Sequence, residues 1–283
     1  MLRAGSVVLF FLMLTSLILP SGYGQARERY SPLAYKMPEG ARLTYLVSDN
    51  TRSRQQVLGT ETEGVTLLKA TVTLTFEDTD RNGNLTFVLK NEALHIDLHT
   101  AHLDSTLSNP TGIVGKRVRK TILPNGDQVD SVELDAVQKL SVLPGLTSEQ
   151  EFLPNLPDKP LAVGESATVA DVDSTHSHGG VIRTRSTIEY TLQGMKSKAG
   201  YECLALSLKG RVGVNGNGVA QGVPFTVEGD GTVSGSLCFA VEEGVLVSHE
   251  SESTVNMIAE MAGEQKMTLV ITQTATSHVD LVK

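Results

Sequence analysis

TVTLTFEDTDRNGNLTFVLK, residues 71–90, holds two β-branched or alternating runs separated by a cluster of Asp, Asn and Gly. Such a pattern specifies two strands and a tight turn. The connection is far shorter than the dozen or more residues a parallel crossover needs, so the strands are antiparallel neighbours. The same texture recurs in ALHIDLH (93–99), STIEYTL (186–192), ECLALSLK (202–209), VPFTVEG (223–229), SLCFAV (236–241) and KMTLVITQT (266–274). The expected fold class is therefore all-β, built of antiparallel meanders. Only DSVELDAVQKLS, 130–141, has helical spacing: Asp130 is placed to cap, Glu133 follows three later, and Leu134, Val137 and Leu140 recur on one face. Residues 143–161 carry Pro144, Pro154, Pro157 and Pro160 and read as a linker.

On either side of that linker the sequence repeats. PEGARLTYLVS from Pro38 aligns with AVGESATVADV from Ala162, residues 71–90 with 187–209, and TILPNGDQVDS (121–131) with CFAVEEGVLVS (238–248). The offsets are about 116 to 124 residues, in the same order. The expectation is two similar sheet modules, curved sheets or half-barrels. The first spans residues 30–142 and ends in the short helix; the second spans 162–283.

The N-terminus has the layout of a secretory signal: Arg3, the apolar run VVLFFLMLTSLILP, then small residues that permit cleavage after Gly24 or Ala26. The run is short for a membrane span, and no later segment reaches the roughly 18 apolar residues of one. Removing residues 1–24 leaves 23 basic against 32 acidic residues, a net charge of −9. An acidic chain with no tryptophan and 5% aromatic residues offers neither the clustered cations nor the stacking platforms of a nucleic-acid binder. In an oxidising compartment Cys203 and Cys238 can form one bridge, since each lies on the strand face that excludes the apolar set. That bridge would close a loop of about 35 residues and add about 3–4 kcal/mol.

LPDKPLAVGES (156–166), the turn and strand EDTDRNGNLTFVLK, and the AVEEGVLVS block resemble a family of secreted bacterial proteins of unknown function with a duplicated β-rich unit. The resemblance covers most of residues 37–280, though Ala167 and Thr168 replace the aromatic expected after GES. It implies an envelope or secreted location and brings no catalytic residues.

Three clusters carry the residue types of a metal site. In LHIDLHTAHLD (94–104), His95 and His99 share a strand face but stand about 13 Å apart at ~3.3 Å per residue, too far to share one zinc; a wet polar face accounts for the spacing. In DVDSTHSHGG (171–180), His176 and His178 have the spacing at which two imidazoles reach one cation, with Asp171 and Asp173 as further ligands. The composition is equally that of an exposed loop. DTDRNG (78–83) matches the start of a calcium loop through Asp78, Asp80 and Asn82. The twelfth position, which should be Glu, is Leu89, and the same residues make hairpin turns. Neither a nucleophile elbow nor a phosphate loop is present; VGVNGNGVAQG (212–222) lacks the lysine and helix of the latter and reads as a flexible hairpin tip. No catalytic residue and no cofactor is expected. Curved antiparallel sheets of this size can close around an apolar concavity, so by fold-level analogy the expected function is that of a secreted or periplasmic, non-enzymatic protein that binds a lipid or other hydrophobic small molecule. An envelope scaffold with a protein partner is the first alternative, and a metal-dependent hydrolase around His176 and His178 the second.

Overall fold

The structure is a computed structural model that describes residues 29–101, 103–136, 153–177, 179–220, 222–262 and 266–282. The expected signal segment, residues 1–24, lies outside them. The described chain is β1 (Arg29–Tyr30), β2 (Arg42–Val57), β3 (Thr60–Thr79), β4 (Leu85–Thr100), β5 (Asp104–Ser108), β6 (Arg117–Ile122) and β7 (Gln128–Glu133), followed by β8 (Leu161–Ala162), β9 (Ser166–Ser177), β10 (Gly180–Lys198), β11 (Tyr201–Ala220), β12 (Val223–Ala240), β13 (Val245–Ala262) and β14 (Lys266–Val282). β1 pairs with β8, and the rest form one antiparallel sheet of twelve strands in the order β7-β6-β4-β3-β2-β14-β13-β12-β11-β10-β9, with β5 beside β4.

Two expectations are corrected here. The halves are not separate modules: β2 and β14 pair along their length, from Thr44 against Val282 to Val57 against Leu269, so a single sheet runs through both. The expected helix is absent from its described part. Residues 130–133 belong to β7, which pairs with β6 from Val118 opposite Glu133 to Ile122 opposite Gln128. A ladder to a neighbouring strand outweighs a capping pattern that has nothing to pack its helix against. The rest of that segment, 137–141, lies outside the described residues, as do 143–152 of the linker. Over 153–161 the linker is a packed element: Leu156 and Leu161 are buried, and the Leu156 amide donates to the Asn125 carbonyl at 2.6 Å.

The aligned blocks occupy matching backbone positions. Gly40 and Gly164 both have positive φ and donate to the carbonyls of Phe76 and Leu192, and those two residues donate back to Ala41 and Glu165. Gly83 with Gly200, and Gly126 with Gly244, are further left-handed pairs at the later turns.

One end of the rolled sheet is plugged. Residues 33–37 cross it: the Tyr35 amide donates to Pro124 O, the Lys36 amide to Gly244 O, and the Tyr35 ring meets Phe239 edge-on at 5.4 Å. The Tyr35 hydroxyl donates to Pro154 O, tying this segment to 153–162. Around them the inward rows Leu192–Leu206–Leu237 and Val279–Val47–Ala70–Leu94 form a continuous core.

Beyond the core the strands continue, and glycine sets their curvature. Gly210, Gly216, Gly229, Gly231 and Gly235 sit on the inward register of β11 and β12, where a Cβ would collide with the backbone of the adjacent strand. At Gly210 it would stand 2.5 Å from Thr187 O and 3.0 Å from Ile188 Cα. Gly213, on the outward register, has nothing within 4 Å. At these inward glycines the neighbouring backbone lies close, and at outward Gly213 it does not, as expected where glycines bend a sheet sharply. VGVNGNGVA is therefore strand up to Ala220 and not a hairpin tip. The roll brings the free edge β9 back toward the other end of the sheet, so that Asp171 and Asp173 line one cavity with Phe87, Lys120, Asp127 and Gln128.

Candidate functional site: the concave face

Register assigns each side chain to a face. On β12 the outward residues are Pro224, Thr226, Glu228, Asp230, Thr232 and Ser234, all exposed, while Val223, Phe225, Val227 and Val233 point inward and are half-buried. Following the pairs sideways gives inward rows such as Thr184–Val214–Gly229–Met257–Ile271–Gln55. The upper concave surface therefore has an apolar middle, lined by half-buried Val214, Val227, Met257, Leu269 and Ile271, flanked by polar residues such as Thr184 and Gln55.

On β12 the distribution is opposite to that of a strand in a membrane-spanning barrel, which carries its apolar residues outward and its polar residues inward. No helix among the described residues is long and apolar enough to cross a membrane.

Between core and apolar rows the lining changes character. A cavity of about 250 Å3 is walled by Val169, Ile188, Tyr190, Leu208 and Val233, with the polar groups of Asn155, Asp171, Ser186, His249 and Ser251. Five strands and the plug contribute to it. His249 sits on the inward register of β13, between Leu237 and Val279. Among the described residues no hydrogen bond reaches its ring, and desolvation pulls its pKa down to about 4, against a smaller opposing effect of Glu250. The imidazole is neutral at ordinary pH. Tyr190, beside it, is pushed up to about 12 by burial. A second cavity of about 340 Å3 adjoins on the seam side, sharing Leu153, Asn155 and Asp171.

The residues singled out by sequence fall in different places. His95, Asp97 and His99 lie on the outward face of β4 while Leu94 and Ile96 are buried beneath. His95 contacts Ser108 Oγ at 2.8 Å and Asp97 at 3.1 Å; Asp97 accepts from Thr106, the main cause of its lowered pKa, and His99 pairs with Asp104 at 2.6 Å. It is a surface network. Asp171 and Asp173 face inward on β9, and each accepts from the next amide, Val172 and Ser174. His176 pairs through its backbone with Val181; its side chain and all of His178 lie outside the described residues. Asp80 takes its turn's donors, the amides of Asn82 and Asn84 and the Asn84 side chain, at 2.7–2.9 Å, which lowers its pKa. Asp78 accepts from the Thr79 amide. Among the described residues no three His, Cys, Asp or Glu side chains converge as a metal site.

Cys203 and Cys238 are both buried free thiols. Their strands are neighbours, but Ala205 is the residue opposite Cys238, so the cysteines sit diagonally on one face. Burial and the adjacent Cys238 push the Cys203 thiol up to about 11.

No family model and no curated protein matches this chain. Solved structures similar to it include Pseudomonas aeruginosa OpdQ, 6% identical over 86% of this chain and 99% of that one with a TM-score of 0.25. Pseudomonas aeruginosa OccK2 (OpdF) in complex with glucuronate is 8% identical over 88% and 100%, with a TM-score of 0.23. An outer membrane channel from Pseudomonas putida F1 is 5% identical over 88% and 98%, with a TM-score of 0.20. Likenesses of this degree bear on neither mechanism nor ligand.

Sequence reasoning missed His249, Ser251, Tyr190 and Asn155. The signal in VSHESESTVNM was its alternation, which puts His249, Ser251, Ser253, Val255 and Met257 on one face.

Proposed function

We propose that this is a secreted or periplasmic binding protein that holds the apolar body of a lipid or other hydrophobic small molecule along the concave face of its sheet. The observation that carries the reading is the apolar stretch of the concave face: half-buried Val214, Val227, Met257, Leu269 and Ile271 point inward beyond the buried core and are not part of it. Apolar surface left half-covered in a concavity gains about 25 cal/mol per Å2 when a ligand displaces its water. No step of this function requires a catalytic group or a metal.

Native mass spectrometry of the chain from Gln25 onward tests it. The expected result is an adduct of several hundred daltons released by organic solvent, or saturable uptake of an acyl probe when the protein is delipidated. Introducing a carboxylate by Met257→Glu should abolish uptake without unfolding the core. A delipidated protein that takes up no apolar probe would remove the reading.

An interaction protein of the cell envelope is the second reading. Val129, Val132 and Val172 are exposed on the free edges β7 and β9, the places where a partner strand would add. Against it, Asp171 and Asp173 occupy the amides of Val172 and Ser174.

A further inference from the structure

We infer that the ligand is a neutral, hydrogen-bonding amphiphile, bound with its hydroxyl or carbonyl end against His249, Ser251 and Asn155 at the plugged end and its apolar body running outward along the concave rows. This rests on the binding reading above and specifies the chemistry of the same site.

The first support is the position of the polar groups. His249, Ser251, Ser186 and Asn155 surround a cavity of about 250 Å3 at the closed end, while the rows beyond it are apolar along their middle, through Val214, Met257 and Ile271. That volume is below the roughly 300–1,000 Å3 of a site that encloses a whole small molecule. It accommodates one end of a longer ligand whose remainder lies on the rows above.

The second is the imidazole itself. His249 is half-buried and lines the cavity, and no hydrogen bond from a described residue reaches its ring, so its nitrogens are open to a group held in the cavity. A neutral imidazole offers one N–H and one lone pair, and the serine hydroxyls and the asparagine amide likewise both donate and accept. Four neutral two-way groups suit a hydroxyl or an ester carbonyl. A carboxylate head would find no cation among the residues lining this cavity and would face Asp171. An ammonium could donate to Asp171 and to the imidazole lone pair, but it accepts nothing from the His249 N–H.

Three ligands with one chain separate these possibilities: 1-oleoylglycerol, oleate and oleylamine, titrated into delipidated full-length mature protein at pH 7.5. The expected order places the glyceride at least about 10-fold tighter than either charged analogue. His249→Phe and, separately, Ser251→Ala should weaken the glyceride about 5- to 10-fold while leaving oleate and oleylamine unchanged, with urea midpoints reporting that both variants fold. Equal affinity for all three, preference for a charged head, or folded variants that bind the glyceride as the parent does would overturn the inference and leave concave-face binding standing. Failure of all three to bind would overturn both.

Discussion

Replacing Gly210 by alanine tests the claim that glycines set the curvature of the sheet. The added Cβ would stand 2.5 Å from the Thr187 carbonyl oxygen, and ordinary contact begins at 3.4 Å, so the strands must separate by about 0.9 Å at that point. The obstacle is backbone within a twelve-stranded sheet, not a side chain that can rotate away. Overpacking of this kind costs about 1–3 kcal/mol, and for a domain of this size each kcal/mol lowers Tm by about 2–4 °C. Gly213 supplies the control on the same strand: it faces outward, has nothing within 4 Å, and its φ is not positive. Gly213→Ala should be neutral, or stabilising by about 0.4–1 kcal/mol through the unfolded chain. Urea and thermal unfolding of both variants measure the difference. If Gly210→Ala proves as stable as Gly213→Ala, the concave-side glycines are not what allows the strands to approach, and the derivation of the rolled sheet is refuted.

Three further outcomes are expected. His249 has a folded pKa of about 4 against 6.5, so the unfolded chain takes up the proton first: its contribution is complete above about pH 6.5 and lost as pH falls toward 4. At about 1.36 kcal/mol per unit the total reaches about 3 kcal/mol. His249→Asn should flatten the pH dependence of the urea midpoint within that window, in a setting where Asp171, Tyr190 and Glu250 are the titratable neighbours; a parallel pH profile would contradict it. In reduced native protein, Cys203 and Cys238, buried and with the Cys203 thiol raised to about 11, should resist alkylation at pH 8 until urea is added; intact mass of the unreduced protein, two daltons lighter if the bridge forms, settles that proposal. Calcium should leave Tm unchanged, because the Asp80 carboxylate already serves the amides of its own turn; a saturable rise would reinstate Asp78, Asp80 and Asn82 as ligands.

Strand content and facing were legible from alternation, since TVTLTF and ECLALSLK state their buried faces directly. Strand length was not. β3 begins at Thr60 and β11 continues to Ala220, through Gly- and Thr-rich stretches whose local propensity favours turns and whose pairing comes from distant neighbours. The same gap produced the mistaken helix, because nothing in DSVELD reveals that β6 waits beside it. The candidate site was the least legible part. His249, Tyr190 and Asn155 lie far apart in sequence and meet only through the rolling of the sheet, whereas the clusters visible in sequence, His95 to His99 and Asp78 to Asn82, became a surface network and a turn.

The pairing of β2 with β14 orders events in time. Every other joint of the large sheet links strands close in sequence, so hairpins on both sides can form as soon as their own residues are free. The β2–β14 ladder closes a loop of more than 200 residues, and loop-closure entropy makes it a late event. Until then the chain presents two half-sheets, each with a long unsatisfied edge, a state that invites pairing with a second molecule. Exchange of β14 between chains would satisfy the same hydrogen bonds, which makes refolding at high protein concentration the condition under which an intertwined dimer should appear.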